Sequence, residues 1–480
     1  MPYQAVIGLE IHAQLRTATK IFCGCPTRFG RPPNTQTCPV CLGLPGALPV
    51  LNRHAVDLAL LAGLALGCAV RPRSVFARKN YFYPDLPKGY QISQYDQPLV
   101  GPGQVTVQVG DRAVPVGITR IHLEEDAGKS LHDGAADWGE RTALDFNRAG
   151  TPLIEIVTEP DLRSAADAAA FFEQLRSTLV WIGVNDGNME EGSLRCDANV
   201  SVRPAGATAL GTKAEVKNLN SFRYLRQALE YEIQRQAELV ASGGRVVQET
   251  RLWDQASGRT VAMRSKEEAH DYRYFPEPDL PPVEVDPQRL ERARLALPEL
   301  PEACRVRLMA QHGLSAYDAA ELTRARATAD WFAAVVQAGA PPKAAANWIL
   351  GELARKVNDA GLTLPDSPVS PAGLAGLLDL IERRVISSTT AKGVLDRMWG
   401  SGASAAAIVE ADGLAQISDE SALAAAVEAV LAQQPETAAQ YRRGQTKVLG
   451  FLVGQVMKAT GGKASPAVVN DLLRRALDAL

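Results

Sequence analysis

The feature that most restricts this 480-residue chain is a change of residue pattern part-way along it. Up to about residue 290, short runs alternate between apolar and polar side chains. Beyond the proline-rich stretch Pro276 to Pro287 the chain turns Ala-rich and reads as helix almost throughout. Alternation with a period of two marks strands covered on one face only. From Tyr3 to Leu15, the residues Ala5, Ile7, Leu9, Ile11 and Ala13 project one way; Gly8, Glu10, His12 and Gln14 project the other. Ser193 to Arg203 repeats the scheme, setting Leu194, Cys196, Ala198, Val200 and Val202 against Arg195, Asp197, Asn199, Ser201 and Arg203. Lys213, Glu215 and Lys217 alternate with Ala214 and Val216, and Ile121 and Leu123 with Arg120, His122 and Glu124. Such strands suit a largely antiparallel sheet, with helices on its apolar side and its polar side open. Helices are predicted from N-cap Ser164 to about Trp181, and from about Ser221 to Ser242, where Gly243 and Gly244 stop the chain. The expected class is α+β, with a proline-rich exit from the first part and breaks at Pro365 to Pro371 and Gly400 to Gly402.

Charge narrows the function less than its distribution does. The net charge of −3 gives no global polycation, and 46% apolar with 22% charged residues is ordinary globular composition. Yet residues 401–440 carry six acidic side chains, including Asp419, and no Lys or Arg, while 441–480 carry seven basic ones against Asp471 and Asp478. The basic set is Arg442, Arg443, Lys447, Lys458, Lys463, Arg474 and Arg475. It reads either as a solvated helical face or as a phosphate-facing patch. The longest apolar stretch, Val56 to Val70, is interrupted by Asp57 and is too short to span a bilayer. No secretory signal is read at the N-terminus, so cytoplasmic residence, without a membrane, is the expectation. Seven cysteines in a reducing compartment are not read as disulfides.

Three constellations carry chemistry. Cys23-x-Cys25 and Cys38-x-x-Cys41 place two close thiol pairs twelve residues apart, with Pro32, Pro33 and Asn34 folding the loop back between them. Four thiolates suit a tetrahedral zinc with no opening for substrate water, hence a structural site. Unliganded thiols and an iron–sulfur cluster are the other readings. Glu10 and His12 lie two apart on one strand and project together, and Glu124-Glu125-Asp126 ends another polar-faced strand. Carboxylates beside an imidazole suit Mg²⁺ or Mn²⁺, although acidic residues at strand ends are often merely solvated. Arg78 to Asp85 (RKNYFYPD), followed by Lys88 and Tyr90, interleaves cations with aromatics. That pattern stacks on bases or tucks rings into a core. No P-loop and no G-x-G-x-x-G after a strand is present, so a nucleotide site here is of another type. No Ser-based or Cys–His amidase signature is found either.

Six stretches, in order along nearly the whole chain, resemble the B subunits of the glutamyl/aspartyl-tRNA amidotransferases (the GatB family). They are VIGLEIH from Val6, RKNYFYPD from Arg78, HLEEDAGK from His122, EEGSLRCDAN from Glu190, DYRYFPEPD from Asp271 and GFLVGQVMK from Gly450. The resemblance implies three parts. The first is a cradle domain over 1–290, with a glutamine synthetase-like antiparallel sheet and a cysteine insertion at 23–41. A helical domain over 291–402 follows, then a small YqeY-like tail over 403–480 that touches tRNA. It implies ATP and Mg²⁺, with Glu10, His12 and either Glu124 or Glu125 as cation ligands and these, with Lys79, as the catalytic set. It places Lys79, Arg195, Asp197, Asn199 and Lys213 near ATP or the aminoacyl end, and Cys23, Cys25, Cys38 and Cys41 round a structural Zn²⁺. Gln445 departs from the family, where Lys is common before Thr446 and Lys447. The implied activity is phosphorylation of the side-chain carboxylate of Glu-tRNA(Gln) or Asp-tRNA(Asn), then amidation with ammonia. The implied partners are an amidase subunit, GatA, and a small subunit, GatC. A non-catalytic zinc-containing tRNA scaffold is the alternative, and a free-standing ligase of small substrates a third reading.

Overall fold

The alternating N-terminal segment forms the Tyr3–Gln14 strand, which lies near the middle of an eleven-stranded sheet. Its apolar row disappears from solvent: Ile7, Leu9, Ile11 and Ala13 are buried. Each of the large aliphatics contributes about 2 kcal/mol by that burial. In this computed structural model the described residues are 2–131, 142–265, 271–416, 420–461 and 464–479.

Across the sheet the strands run Arg259–Ser265, Glu249–Asp254, Ala214–Lys217, Leu194–Pro204, Tyr3–Gln14, Pro152–Thr158, Arg112–Glu125, Tyr90–Gln94, Phe76–Asn80 and Phe275–Pro276. Gly103–Val109 forms a hairpin on the long Arg112–Glu125 strand. All pairings in this sheet are antiparallel except that of Ala214–Lys217 with Glu249–Asp254. The α+β class and the largely antiparallel sheet are as the alternation predicts.

Helices cover the apolar side. Phe222–Ala241 packs on the Leu194–Pro204 strand, and Ala165–Trp181 packs on that helix and on the Gly103–Val109 hairpin. Ser164 and Ser221 cap these helices, their hydroxyls accepting from the amides of Asp167 and Tyr224. Gly243, with a φ of 82°, ends the second in a conformation that favours glycine.

By its contacts the chain separates into two units, Met1–Pro301 and Glu302–Leu480. The segment that follows the proline-rich stretch still packs on the first unit. Val283–Glu284 pairs back onto Arg73–Ser74, and Arg289 on the Pro287–Ala296 helix grips Asp57 at 2.7 Å. The second unit is helical among its described residues. Arg326–Gln337 packs on Pro371–Glu382, and its Phe332 and Val335 are buried. Gly402, with φ of 68°, caps Ser388–Ser401. Leu423, Val427, Leu452, Val456, Val469, Leu473 and Leu477 close a separate cluster near the C-terminus. Arg442, Arg443, Lys447, Lys458, Arg474 and Arg475 are exposed round it, as is Gln445; Asp419 and Lys463 lie outside the described residues.

Candidate active site

Sheet register assembles the polar face. His12 lies opposite Arg195 on one neighbouring strand and opposite Glu155 on the other, and Glu155 in turn lies opposite His122. Residues facing each other across a pair project the same way, so four strands set Arg195, His12, Glu155 and His122 in one row. Glu124, two residues after His122, shares their face. The imidazoles alternate with the carboxylates. His12 Nε2 lies 3.6 Å from Glu124 Oε1 and 3.5 Å from Glu155 Oε2; His122 Nε2 lies 3.5 Å and 3.3 Å from the same two groups. One ligand atom from each of His12, Glu124 and Glu155 falls within 4.8 Å of the others, a spacing that one cation can bridge.

The electrostatics fit such a group. Burial works to depress the pKa of His12, but the hydrogen bond and charge of Glu155, with Glu124, raise it. His122 follows the same balance and is pushed up to about 9. Arg120 Nε donates to His122 Nδ1 at 3.4 Å, which disfavours a proton on that nitrogen. Burial favours the neutral acids, yet the imidazoles hold Glu124 below the carboxylate range and Glu155 well below it. Two buried carboxylates thus remain anionic beside two imidazoles, a group that binds either protons or a cation.

The sequence-predicted residues are placed unevenly. His12 and Glu124 meet. Glu125, one residue further on, faces the opposite side of the sheet, where it pairs with Lys88 and accepts from the amide of Ile92 at 2.8 Å. The structure does not bring it to the cation group. Glu10 sits beside that group in sequence but accepts a hydrogen bond of 2.9 Å from Asn199. With Asn199, Ser201 and Lys213 it borders a cavity of about 280 Å³. Asp197 binds Lys217 Nζ at 3.1 Å. Arg195 donates to Asp126 at 3.0 Å; Asp126 is buried, also accepts from Gln14 at 2.9 Å and lies 3.4 Å from Arg148 Nε. Arg28, Arg31, Lys129, Arg148, Arg195 and Arg223 line a larger cavity of about 810 Å³, in which these cations outnumber Asp145, Glu190 and Glu191.

The basic–aromatic segment divides between structure and surface. Arg78 is held by Glu277 at 2.7 and 2.9 Å and by Asp279 at 3.2 Å, over the Tyr90 ring. Lys79 Nζ stands 4.9 Å from the Tyr272 ring centre and 5.8 Å from that of Tyr81. Phe82 and Tyr83 remain exposed, so the loop does not tuck both into the core.

Sequence reasoning missed Glu155 and left His122 and Asp126 out of the site. For Glu155 a signal exists: it is the one charge inside the apolar run PLIEIVT of Pro152–Thr158. A carboxylate there must be paired or bind a cation.

The cysteine loop closes as its spacing predicts. Single atoms of Cys23, Cys25, Cys38 and Cys41 all lie within 4.8 Å of one another, a four-thiol group able to hold a metal. The Cys38 amide donates to Cys41 Sγ at 3.2 Å. Hydrogen bonding from Cys23 holds the Cys41 thiol far below its ordinary range, the Lys20 ammonium adds to this, and Cys23 is raised in return. Asn34, at a φ of 58°, pins the loop to the 144–147 segment through the carbonyl of Leu144 and the amide of Phe146. No helix among the described residues is long and apolar enough to cross a membrane.

With this geometry in place, comparison with known proteins is direct. Residues 5–291 match the model of the GatB/GatE catalytic domain, and residues 330–477 that of the GatB domain. The chain is 55% identical over 477 residues to the B subunit of the aspartyl/glutamyl-tRNA(Asn/Gln) amidotransferase of Geotalea daltonii, covering 99% of this chain and all of that protein. It is 56% identical over 477 residues to the protein of the same name in Geobacter sulfurreducens, with the same coverage. It is 58% identical over 479 residues to that of Anaeromyxobacter sp. strain K, covering 99% of both chains.

Proposed function

The chain belongs to the family of aspartyl/glutamyl-tRNA(Asn/Gln) amidotransferase B subunits, and from that premise we propose that its polar sheet face performs the ATP-dependent step of the reaction. It is a subunit of a tRNA-dependent amidotransferase, a ligase, and the shared name of its relatives is that of one part of a multi-subunit enzyme. The partners we propose are the amidase subunit GatA, as ammonia source, and the small subunit GatC. The compartment is the cytoplasm, where charged tRNA is found.

The observation that carries the reading is the His12, Glu124 and Glu155 group on the open face of the sheet. Two carboxylates and one imidazole form an oxygen-rich donor set that fits Mg²⁺ or Mn²⁺ better than a softer metal. Glu10 extends the set from the same strand. When bound there with ATP, the cation would supply charge neutralisation at the phosphates. Lys79, Arg195, Lys213 and Asn199 add cationic and amide donors along the face, for phosphate and carboxylate oxygens. Asp197 is placed to orient Lys217. A carboxylate does not yield to ammonia, because oxide is not a leaving group. Transfer of the γ-phosphoryl group of ATP to the side-chain carboxylate gives an acyl phosphate and ADP, and ammonia then displaces phosphate to leave the amide. The residues' task is therefore positioning and charge compensation.

The cysteine quartet fits a structural Zn²⁺ closed to substrate. In the helical part we propose a domain over 291–402 and a tail over 403–480, supported by the apolar cluster confined to Leu423 through Leu477. The exposed cations of that tail suit tRNA phosphates. A scaffold without chemistry would give no use to two buried carboxylates facing an open sheet.

The test supplies the copurified complex with ATP, Mg²⁺, glutamine and tRNA charged with labelled Glu or Asp, then strips and identifies the amino acid. Labelled Gln or Asn that forms only with ATP is the expected result. Unchanged Glu and Asp, with tRNA bound and partners intact, would return the reading to the scaffold.

A further inference from the structure

Lys20 is fully buried. Its ammonium has three acceptors: the carbonyl of Gln36 at 2.7 Å, the carbonyl of Phe146 at 3.3 Å and Cys41 Sγ at 3.5 Å. Three N–H donors thus meet three partners, and among the described residues no carboxylate pairs with it. A buried cation without an anion is strongly disfavoured. The sulfur is the one partner able to carry the compensating charge, and it belongs to the four-cysteine group.

Four thiolates round a divalent metal form a dianion, and a dianion with one buried sulfur needs a nearby cation. We propose that Lys20 is the built-in counter-cation of the metal–tetrathiolate centre and the brace that fixes its loop to the cavity wall. This rests on the zinc reading of the cysteine group and is independent of the ATP reading.

The brace follows from where the three acceptors lie. Gln36 and Cys41 belong to the cysteine loop, and Phe146 belongs to the segment leading to Arg148 and Gly150. Lys20 and Ile21 hold both through the main chain as well, donating to the Cys25 carbonyl at 2.9 Å and the Gly150 carbonyl at 2.9 Å. Gly150 then donates to the carbonyl of Asp126, at 2.9 Å. Arg28 and Arg31 from the loop, and Arg148 from the segment, line the same cationic cavity. A methionine at position 20 would fill the volume, supply no N–H to the sulfur and carry no charge.

The test uses the full complex with wild-type chain, Lys20→Met and Lys20→Gln. Zinc retention is measured by competition with a graded series of chelators, and the cobalt-substituted forms are compared by visible absorption. Lys20→Met is expected to hold the metal about 10- to 100-fold more weakly and to shift the sulfur-to-cobalt bands. Lys20→Gln, which keeps N–H donors and drops the charge, is expected to weaken it also. A folded Lys20→Met that binds zinc and cobalt as the wild type does overturns the inference alone; a wild-type complex that retains no zinc overturns it together with the zinc reading. If the variants do not fold, acylation of lysines in the wild-type complex decides. Lys20 is expected to be protected with metal and labelled once metal is removed. Equal protection in both states, with alkylation of the cysteines proving removal, overturns the inference.

Discussion

Replacing Glu155 by Gln keeps the shape of the side chain and removes one of the two carboxylates that hold His122. Burial alone would lower the His122 pKa; Glu155 leads the opposing causes, with Glu124, and together they raise it to about 9 from 6.5. A raised folded value contributes stability in full below the unfolded value and loses it as pH rises through the folded one. From these two values the contribution is about 3 kcal/mol at pH 6.5 and about 2 kcal/mol at pH 7.5, and it is nearly gone at pH 9.5. The depression of Glu155 is the same interaction seen from its partner and is not added. With Glu124 retained, Glu155→Gln removes half or more, about 1–2 kcal/mol at pH 7.5. Unfolding entropy of about 2.1 cal/mol/K per residue over the first unit, Met1–Pro301, converts this to a Tm lower by about 2–3 °C. The assay is thermal unfolding without added divalent cation and without chelator, so that the cysteine site is undisturbed. Melting of the variant with the wild type at pH 7.5, or an equal deficit at pH 9.5, would refute the reasoning.

The remaining expectations concern neighbouring groups. Glu124→Gln should weaken Mn²⁺ binding more than tenfold in a titration read by electron paramagnetic resonance. Glu125→Gln should leave that affinity unchanged, yet lower stability by about 3 kcal/mol, because it strands buried Lys88. Asp126→Asn releases Arg195 and Arg148 and should cost about 3 kcal/mol in denaturant unfolding at neutral pH. Since Asp126 is held below its ordinary range, against burial, by Arg195 and then Arg148, the wild-type advantage should hold above about pH 4 and decline as pH falls from there through the depressed folded value. Cys38→Ser should reduce bound zinc in elemental analysis without changing the far-UV circular dichroism of the helical unit.

Local pattern carried much of this fold, and non-local register carried the site. The alternation in Tyr3–Gln14 and Leu194–Pro204 identifies strands, a buried face and the direction of His12 and Arg195, because side-chain direction along a strand depends only on parity. Parity also separates Glu124 from Glu125: the former shares the face of His122, the latter does not. Glu155 was not legible in this way. Its strand is an apolar run, and only pairing with His122, 33 residues before it, and with His12, 143 residues before it, sets it between two histidines. Lys20 gave no signal at all, since nothing local distinguishes a buried lysine from a solvated one. The proline-rich stretch marks a break in regular structure without a loss of packing, since Val283–Glu284 and Arg289 still hold to the first unit.

In the proposed function this subunit activates the carboxylate on its polar sheet face and leaves ammonia release to a partner. The most direct measurement gives the complex carrying His12→Ala or Glu124→Gln two nitrogen sources, glutamine and free ammonium, with ATP, Mg²⁺ and charged tRNA. Both variants are expected to fail to form the amide from either source, while glutamine hydrolysis by the partner continues. Amide formation from free ammonium at the wild-type rate would contradict it.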